Sequence, residues 1–300
     1  MLQAPLFEVM QRARKASAGA GSAAAHAWPR DFLGNRFIYA VISQRAHGLS
    51  IGVNLNPEKY CNFKCAYCEI ERGDPRRESP VDVNVMADEL TTMLTLVRAN
   101  KFREVPRFSK IPPDLLQLKE VAISGDGEPT LCPNFDAAVE AVLRVRSQGG
   151  RFFKIVLITN TAGLLLPHVR RGWEQLASED EIWIKLDAGT QKYMERVNAP
   201  ANMTLSDVMA NTLQIGRTRP ILIQSLFPLL DGEEPGLDEI DAYIHRLQEL
   251  VAGGAQISLV QIYSAHRPAQ NPHCGHLPLN TLSAIAKRVR EQTRLRAEVF

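Results

Sequence analysis

The feature that most constrains this chain is a regular alternation of two periodicities. Six short apolar runs rich in β-branched residues are separated by segments whose apolar residues recur at helical spacing. The runs lie in "GLSIGVNLNP", "EVAISG", "FFKIVLITN", "EIWIKLDAG", "PILIQSLF" and "QISLVQIYS". Helical patterns separate them, for example "VNVMADELTTMLTLVRAN", "NFDAAVEAVLRVRSQG" with Asn134 as cap and Gly149 as stop, and "TLSDVMANTLQIG" with Thr204 or Ser206 near its start. Strands that are apolar throughout belong to a parallel sheet covered on both faces. Six βα units fall short of the eight of a closed barrel. The expected fold is therefore α/β, a partial (β/α)6 TIM-like barrel. "NRFIYAVISQ" joins the first barrel strand through "RAHG" as a small N-terminal β-hairpin, and "LNTLSAIAKRVREQTRL" forms a C-terminal helix. The expected organisation is a leader and hairpin extension over 1–47, a core over 48–268, and a C-terminal loop and helix over 269–300.

The 300 residues, 45% hydrophobic and 23% charged, suffice for one large domain with a full core. A net charge of +2 is too mild to argue for nucleic acid. Five cysteines, an odd and clustered set, do not make a secreted disulfide framework. No apolar run has the length of a membrane span, and the N-terminus lacks a basic start followed by an apolar stretch. "SAGAGSAAAHA" reads as a flexible leader or a frayed helix end. These features lead us to expect a cytoplasmic protein, away from membranes, with free thiols.

Ligands of parallel α/β folds gather at the C-terminal ends of the strands. Here those ends are polar, glycine-rich or cysteine-bearing. The first carries "YCNFKCAYC", with Cys61, Cys65 and Cys68 spaced C-x3-C-x2-C. Thiolates bind soft metals and iron–sulfur clusters. Three cysteines on a four-iron cluster leave one iron without a protein ligand. Zinc is the alternative, completed by His47, Cys132 or Cys274, but no second knuckle is present. "SGDGEPTL" follows the second strand, where glycines permit close backbone approach. Thr159 and Asn160 end the third strand and read either as ligand hydrogen-bonders or as a local turn. Lys185 and Asp187 share one face of the fourth, as a buried ion pair or as ligand contacts. Gln224, Ser225, Gln261 and Tyr263 are weaker cavity-lining candidates. The loop "YSAHRPAQNPHCGH", with Arg267, His266, His273, Cys274 and His276, reads as solvated. So does the basic stretch Arg98 to Lys110, unless Arg103, Arg107 and Lys110 grip phosphate. Cys132 reads as a packed thiol.

"CNFKCAYC", with its aromatic Tyr67 before the third cysteine, resembles the signature of the radical S-adenosylmethionine superfamily. The resemblance implies a 4Fe-4S cluster on Cys61, Cys65 and Cys68, with S-adenosyl-L-methionine chelating the open iron. It also implies reductive cleavage to a 5′-deoxyadenosyl radical that abstracts hydrogen from a substrate. Tyr67 would lie near the adenine. "SGDGEPTL" resembles the family's "GGE" motif, placing Gly127 and Glu128 at the cofactor's amino group, although Asp126 replaces the first glycine. Asn160, Lys185 and Asp187 would contact ribose, the cofactor carboxylate or substrate. The combined motifs are similar to short iron–sulfur oxidoreductases related to the catalytic core of 4-demethylwyosine synthase. That enzyme's second cluster needs earlier cysteines, and none precedes Cys61. The resemblance further implies an external electron donor of flavodoxin or ferredoxin type. A small-molecule substrate is expected, with tRNA or a protein to be activated as alternatives. The non-enzyme alternative is a structural zinc or iron–sulfur protein; an electron carrier would need four cysteines.

Overall fold

In the computed structural model, residues 32–72, 79–150 and 152–300 are described. The small-residue leader expected near the N-terminus lies outside them. Six parallel strands form the centre: β2 (Gly48–Val53), β3 (Leu118–Ile123), β4 (Lys154–Thr159), β5 (Glu181–Lys185), β6 (Ile221–Leu226) and β8 (Ile257–Tyr263). Strand β1 (Ile38–Ser43) pairs antiparallel with β2 at one edge, and β10 (Ala297–Val299) pairs parallel with β8 at the other. The sheet order is β1-β2-β3-β4-β5-β6-β8-β10, and its two edge strands are not paired with each other. The expected partial barrel with its N-terminal hairpin is what forms.

Alternation along each strand sorts the side chains onto two faces. Val121, Ile155, Ile184, Ile223 and Ile262 join the large core beneath the helices. These are α1 (Val83–Arg98), α2 (Phe135–Gln148), α3 (Pro167–Trp173), α4 (Gln191–Val197), α5 (Leu205–Thr218), α6 (Leu237–Ala252) and α7 (Leu279–Thr293). The opposite face holds a separate small cluster inside the barrel: Ala122, Val156, Trp183 and Leu222, with Ile158 and Leu259 against it. This plug fills the barrel below its rim, as stacked side chains do in closed barrels, and leaves the upper interior free.

Helix starts follow the sequence where a side chain can reach the orphan amides. Thr204 and Asp207 form a reciprocal capping box at α5. Asn134 stands at the expected cap position of α2 but makes no capping bond. Its amide instead brackets the backbone of Val81 on both sides, at 2.9 Å each. Two stretches read as solvated loops are anchored. In the basic stretch, Phe102 and Phe108 are buried; Phe102 stacks on Phe32 at 5.7 Å and Phe108 meets the same ring edge-on at 5.8 Å. Arg107 is only 6% exposed, so it is not available to grip a phosphate. In the C-terminal loop, β9 (Cys274–His276) pairs antiparallel with β7 (Pro228–Leu230). Among the described residues no helix is long and apolar enough to cross a membrane.

Candidate active site

The strand ends enclose a cavity of 510 Å³, within the range of small-molecule sites. Cys61, Cys65 and Cys68 line one wall, none of them in a disulfide. Cys132 is fully buried in the core, as read, and neither it nor Cys274 lines the cavity. Among the described residues, no three His, Cys, Asp or Glu side chains converge as ligands of a single metal ion. Burial pushes the Cys61 thiol up to about 12 and raises Cys65 as well. Such thiols stay protonated until a cation displaces the proton.

The cysteine loop carries little secondary structure of its own and is sewn to its neighbours. Lys64 and Ala66 donate backbone bonds to the carbonyls of Asn198 (3.0 Å) and Val197 (2.7 Å), at the end of α4. Gln270 N–H donates to the Cys68 carbonyl at 2.9 Å, and Arg267 pairs with Glu69 at 2.9 and 3.1 Å. Arg72 donates to the carbonyls of Lys59 (3.0 Å) and Asp126 and to the Cys68 sulfur (3.2 Å). Three non-glycine residues with positive φ flank the site: Lys59 at 62°, Thr161 at 75° and Ala199 at 40°. Such backbone persists only where its surroundings fix it, and it concentrates at functional sites.

Gly125 and Gly127 are explained by packing. A Cβ on Gly125 would stand 2.2 Å from the Asn54 side chain, and one on Gly127 would stand 1.8 Å from the Tyr60 carbonyl. The "SGDGEPT" turn thus presses against the residues that lead into the cysteine loop. Asn54 accepts from the Asp126 N–H at 3.0 Å and donates to its carboxylate at 2.7 Å. Asn56 donates to the Glu128 carbonyl at 3.1 Å.

Glu128 lines the cavity, yet its carboxylate serves its own chain. It accepts from Thr130 N–H (3.1 Å) and hydroxyl (2.6 Å), Thr159 hydroxyl (2.5 Å) and Asn160 N–H (2.7 Å). Burial raises its pKa against these bonds. Asn160 also lines the cavity, and its amide donates to Asn62 at 2.9 Å. Lys185 points into the cavity as expected. Its ammonium lies 4.9 Å from the Tyr67 ring centroid, 3.1 Å from the Tyr263 hydroxyl and 3.6 Å from Asp187. Burial acts to lower its pKa, but Asp187 first and Tyr263 second hold it above the usual value. Asp187 sits behind the wall at 3% exposure. It accepts from the Tyr67 hydroxyl, Asn198 amide (2.7 Å) and Leu226 N–H (2.8 Å). The structure therefore makes Asp187 the anchor of Tyr67 rather than a cavity-facing contact. Gln224 and Tyr263 line the cavity. Ser225 faces the other way, bonding the Leu186 carbonyl and Tyr243 at 2.6 Å each.

Sequence reasoning missed α4, Asn198, Asn54 and Arg72. The signal for Asn54 was present, since "NLN" puts two amides after an apolar strand. Asn198 reaches Cys65 and Tyr67 across more than 130 residues, and Arg72 joins its own loop to Asp126, 54 residues on.

No protein-family model matches the chain. A UPF0026 protein of Helicobacter pylori is 24% identical over 183 residues, 60% of this chain and 52% of that protein. A UPF0026 protein of Synechocystis is 26% identical over 196 residues, 63% of each. The chain spans about half the length of the Helicobacter pylori relative. Among solved structures, Streptococcus suis SuiB bound to S-adenosylmethionine aligns with a TM-score of 0.56 at 13% identity, covering 86% of this chain and 52% of that one. TYW1 with a lysine-pyruvate adduct bound aligns with a TM-score of 0.51 at 17% identity, covering 85% and 84%. The chain has the fold of the radical S-adenosylmethionine enzymes.

Proposed function

We propose that this chain is a radical S-adenosylmethionine enzyme acting on a small molecule held in the barrel. The observation that carries the reading is the wall of three thiols, one ligand short, facing a cavity at the strand ends. Their chemistry fits a 4Fe-4S cluster. A closed zinc site needs a fourth ligand, and none of His47, Cys132 and Cys274 lines the cavity with the three thiols. A four-iron cluster takes each thiol on its own iron.

In this reading Cys61, Cys65 and Cys68 would hold the cluster, leaving one iron for S-adenosyl-L-methionine. Bound together, these groups would supply one-electron reductive cleavage of the cofactor, with electrons from an external flavodoxin- or ferredoxin-type donor. The chain's residues do the rest. Arg72 donates to the Cys68 sulfur, and a donor there disperses thiolate charge. Glu128 draws the ends of β3 and β4 together and so positions Gly127 and Asn160 at the cavity. Asp187 and Asn198 hold Tyr67 and the cysteine loop against β5 and β6. Lys185 places a cation where a carboxylate can meet it. The apolar plug below the cavity excludes water from the barrel interior.

The test is anaerobic. The chain reconstituted with iron and sulfide is reduced and incubated with S-adenosylmethionine. The expected product is 5′-deoxyadenosine, at about four irons per chain. A fully loaded protein that forms none overturns the reading, as does a colourless chain that binds one zinc.

A further inference from the structure

The cavity lining carries a cation, Arg45, that the site described above does not use. Arg45 lies in the turn between β1 and β2, at the open seam of the sheet. Ser43 and Gln44 on that turn line the cavity with it, and Phe300, just past β10, lines it from the other edge. The Arg45 guanidinium reaches into the barrel over two aromatic faces. It lies 4.7 Å from the Tyr263 ring centroid and 5.9 Å from that of Trp183. Arginine is suited to this arrangement, since its planar group stacks on a ring and still presents donors at its edge. One of those donors, Nε, is buried without a hydrogen-bond partner among the described residues. A buried donor left unpaired is unfavourable, and native proteins seldom keep one without a ligand or water to meet it.

The other cations at the cavity are engaged. Arg267 is paired with Glu69, and Arg72 with two carbonyls and a sulfur. Lys185 faces Asp187 and Tyr263. The lining carboxylates are engaged as well, Glu69 by Arg267 and Glu128 by its donors. Glu120, on the inner face of β3, and His266 both feel the Arg45 charge, but no ion pair to Arg45 forms among the described residues. Arg45 thus stands in the cavity wall over two aromatic rings and without an ion-pair partner among the described residues, with Glu120, whose Oε2 is likewise buried without a hydrogen-bond partner, within its field.

Building on the enzymatic reading above, we propose that Arg45 binds the anionic head of the substrate. The substrate class is a small carboxylate or phosphate ester. Its anion accepts from the Arg45 edge, with the Tyr263 hydroxyl as the adjacent polar group. The remainder of the molecule then lies along Tyr263 toward the cysteine wall. The two anion chemistries share this recognition, and titration separates them.

The test follows the arginine Nε–H resonances of the isotope-labelled, cluster-bearing chain. The Arg45 signal is assigned by its disappearance in Arg45→Met. Acetate, malonate, inorganic phosphate and S-adenosylmethionine are titrated in separate arms. The expected result is a saturable shift of the Arg45 signal with malonate or acetate if the head is a carboxylate, and with phosphate if it is a phosphate. Arg45→Lys keeps the charge but loses the planar edge, so affinity should fall about tenfold or more, the size of one charge-assisted hydrogen bond. That variant keeps the test valid if Arg45→Met fails to fold. No shift with any anion overturns the inference. A shift with S-adenosylmethionine alone also overturns it, assigning Arg45 to the cofactor. Formation of 5′-deoxyadenosine in the same preparation reports on the enzymatic reading separately, since anion binding at Arg45 does not require cleavage.

Discussion

Glu128 and Asp187 are both 3% exposed, and both stand at strand ends beside the cysteine loop. They are satisfied by opposite means. Glu128 is ringed by neutral donors from its own turn and from the end of β4, all within 32 residues of it. Asp187 faces a cation, Lys185, and ties together pieces far apart in the chain: Tyr67, Asn198 and Leu226. One carboxylate closes a local turn, while the other gathers the walls of the site. Burying a charge among neutral donors makes that site tolerant of a neutral replacement. Burying it against a cation does not, because removal strands the partner.

The largest effect should come from the loop that both carboxylates support. Cys65→Ala is expected to abolish 5′-deoxyadenosine formation and to prevent stable cluster loading, read as iron and sulfide per chain. Retention of a full four-iron complement would show that the thiols are not the ligands, and the comparison would lose its object.

The second effect tests the cation. Asp187→Asn leaves Lys185 without its counter-charge and turns an amide toward hydroxyl and amide donors. Breaking such a buried pair is expected to lower stability by about 3–5 kcal/mol in denaturant titrations. Lys185→Met together with Asp187→Asn should recover part of that loss. Equal losses in the single and double variants would remove the cation from the account.

Glu128→Gln should lower stability by less, about 1–3 kcal/mol, because only one of its four donors is left facing an amide hydrogen. Its pH dependence carries a definite sign. Burial raises the folded pKa of Glu128 above its unfolded value. The folded state then binds the proton more tightly. Stability from this group is greatest below the unfolded pKa and falls as pH rises through the folded one. The Gln variant lacks that fall, so the gap between it and the parent should narrow as pH rises past the unfolded carboxylate's pKa. A gap that widens instead would mean that the neutral donors outweigh burial.

The same contrast explains what was legible in the sequence. The six strands, the hairpin, the open barrel and the three cysteines follow from local patterns: period-two and helical runs, and a spacing within eight residues. Gly127 and Glu128 were singled out only through the resemblance of "SGDGEPTL" to a known motif; the bonds from Glu128 to Thr159 and Asn160, 31 and 32 residues on, were not visible. Asn198 was not visible either, since it acts on Cys65, Tyr67 and Asp187 at separations of 133, 131 and 11 residues. Asp187 was seen as a polar residue on the inner face, but its partner Tyr67 lies 120 residues earlier. Arg45 read as part of a turn, and only the curvature of the sheet brings it over Tyr263 and Trp183. The strands β7, β9 and β10 are three residues each, too short for any periodicity to declare them.

The smallest effect is the sharpest test of the Asp187 anchor. Tyr67→Phe removes one hydroxyl and keeps the ring over Lys185. Asp187 retains the Asn198 amide and the Leu226 N–H as donors. The loop retains its backbone bonds from Lys64 and Ala66 to the end of α4. The expected loss is about 1 kcal/mol, one hydrogen bond, with cluster content unchanged. Tyr67→Ala removes the ring as well, and should weaken S-adenosylmethionine binding if that ring meets the adenine, while Tyr67→Phe should not. If Tyr67→Phe sheds iron as Cys65→Ala does, the hydroxyl bond and not the backbone stitching holds the cysteines in place. Asp187 would then be the keystone of the loop, and the contrast with Glu128 would be larger than the buried charges alone imply.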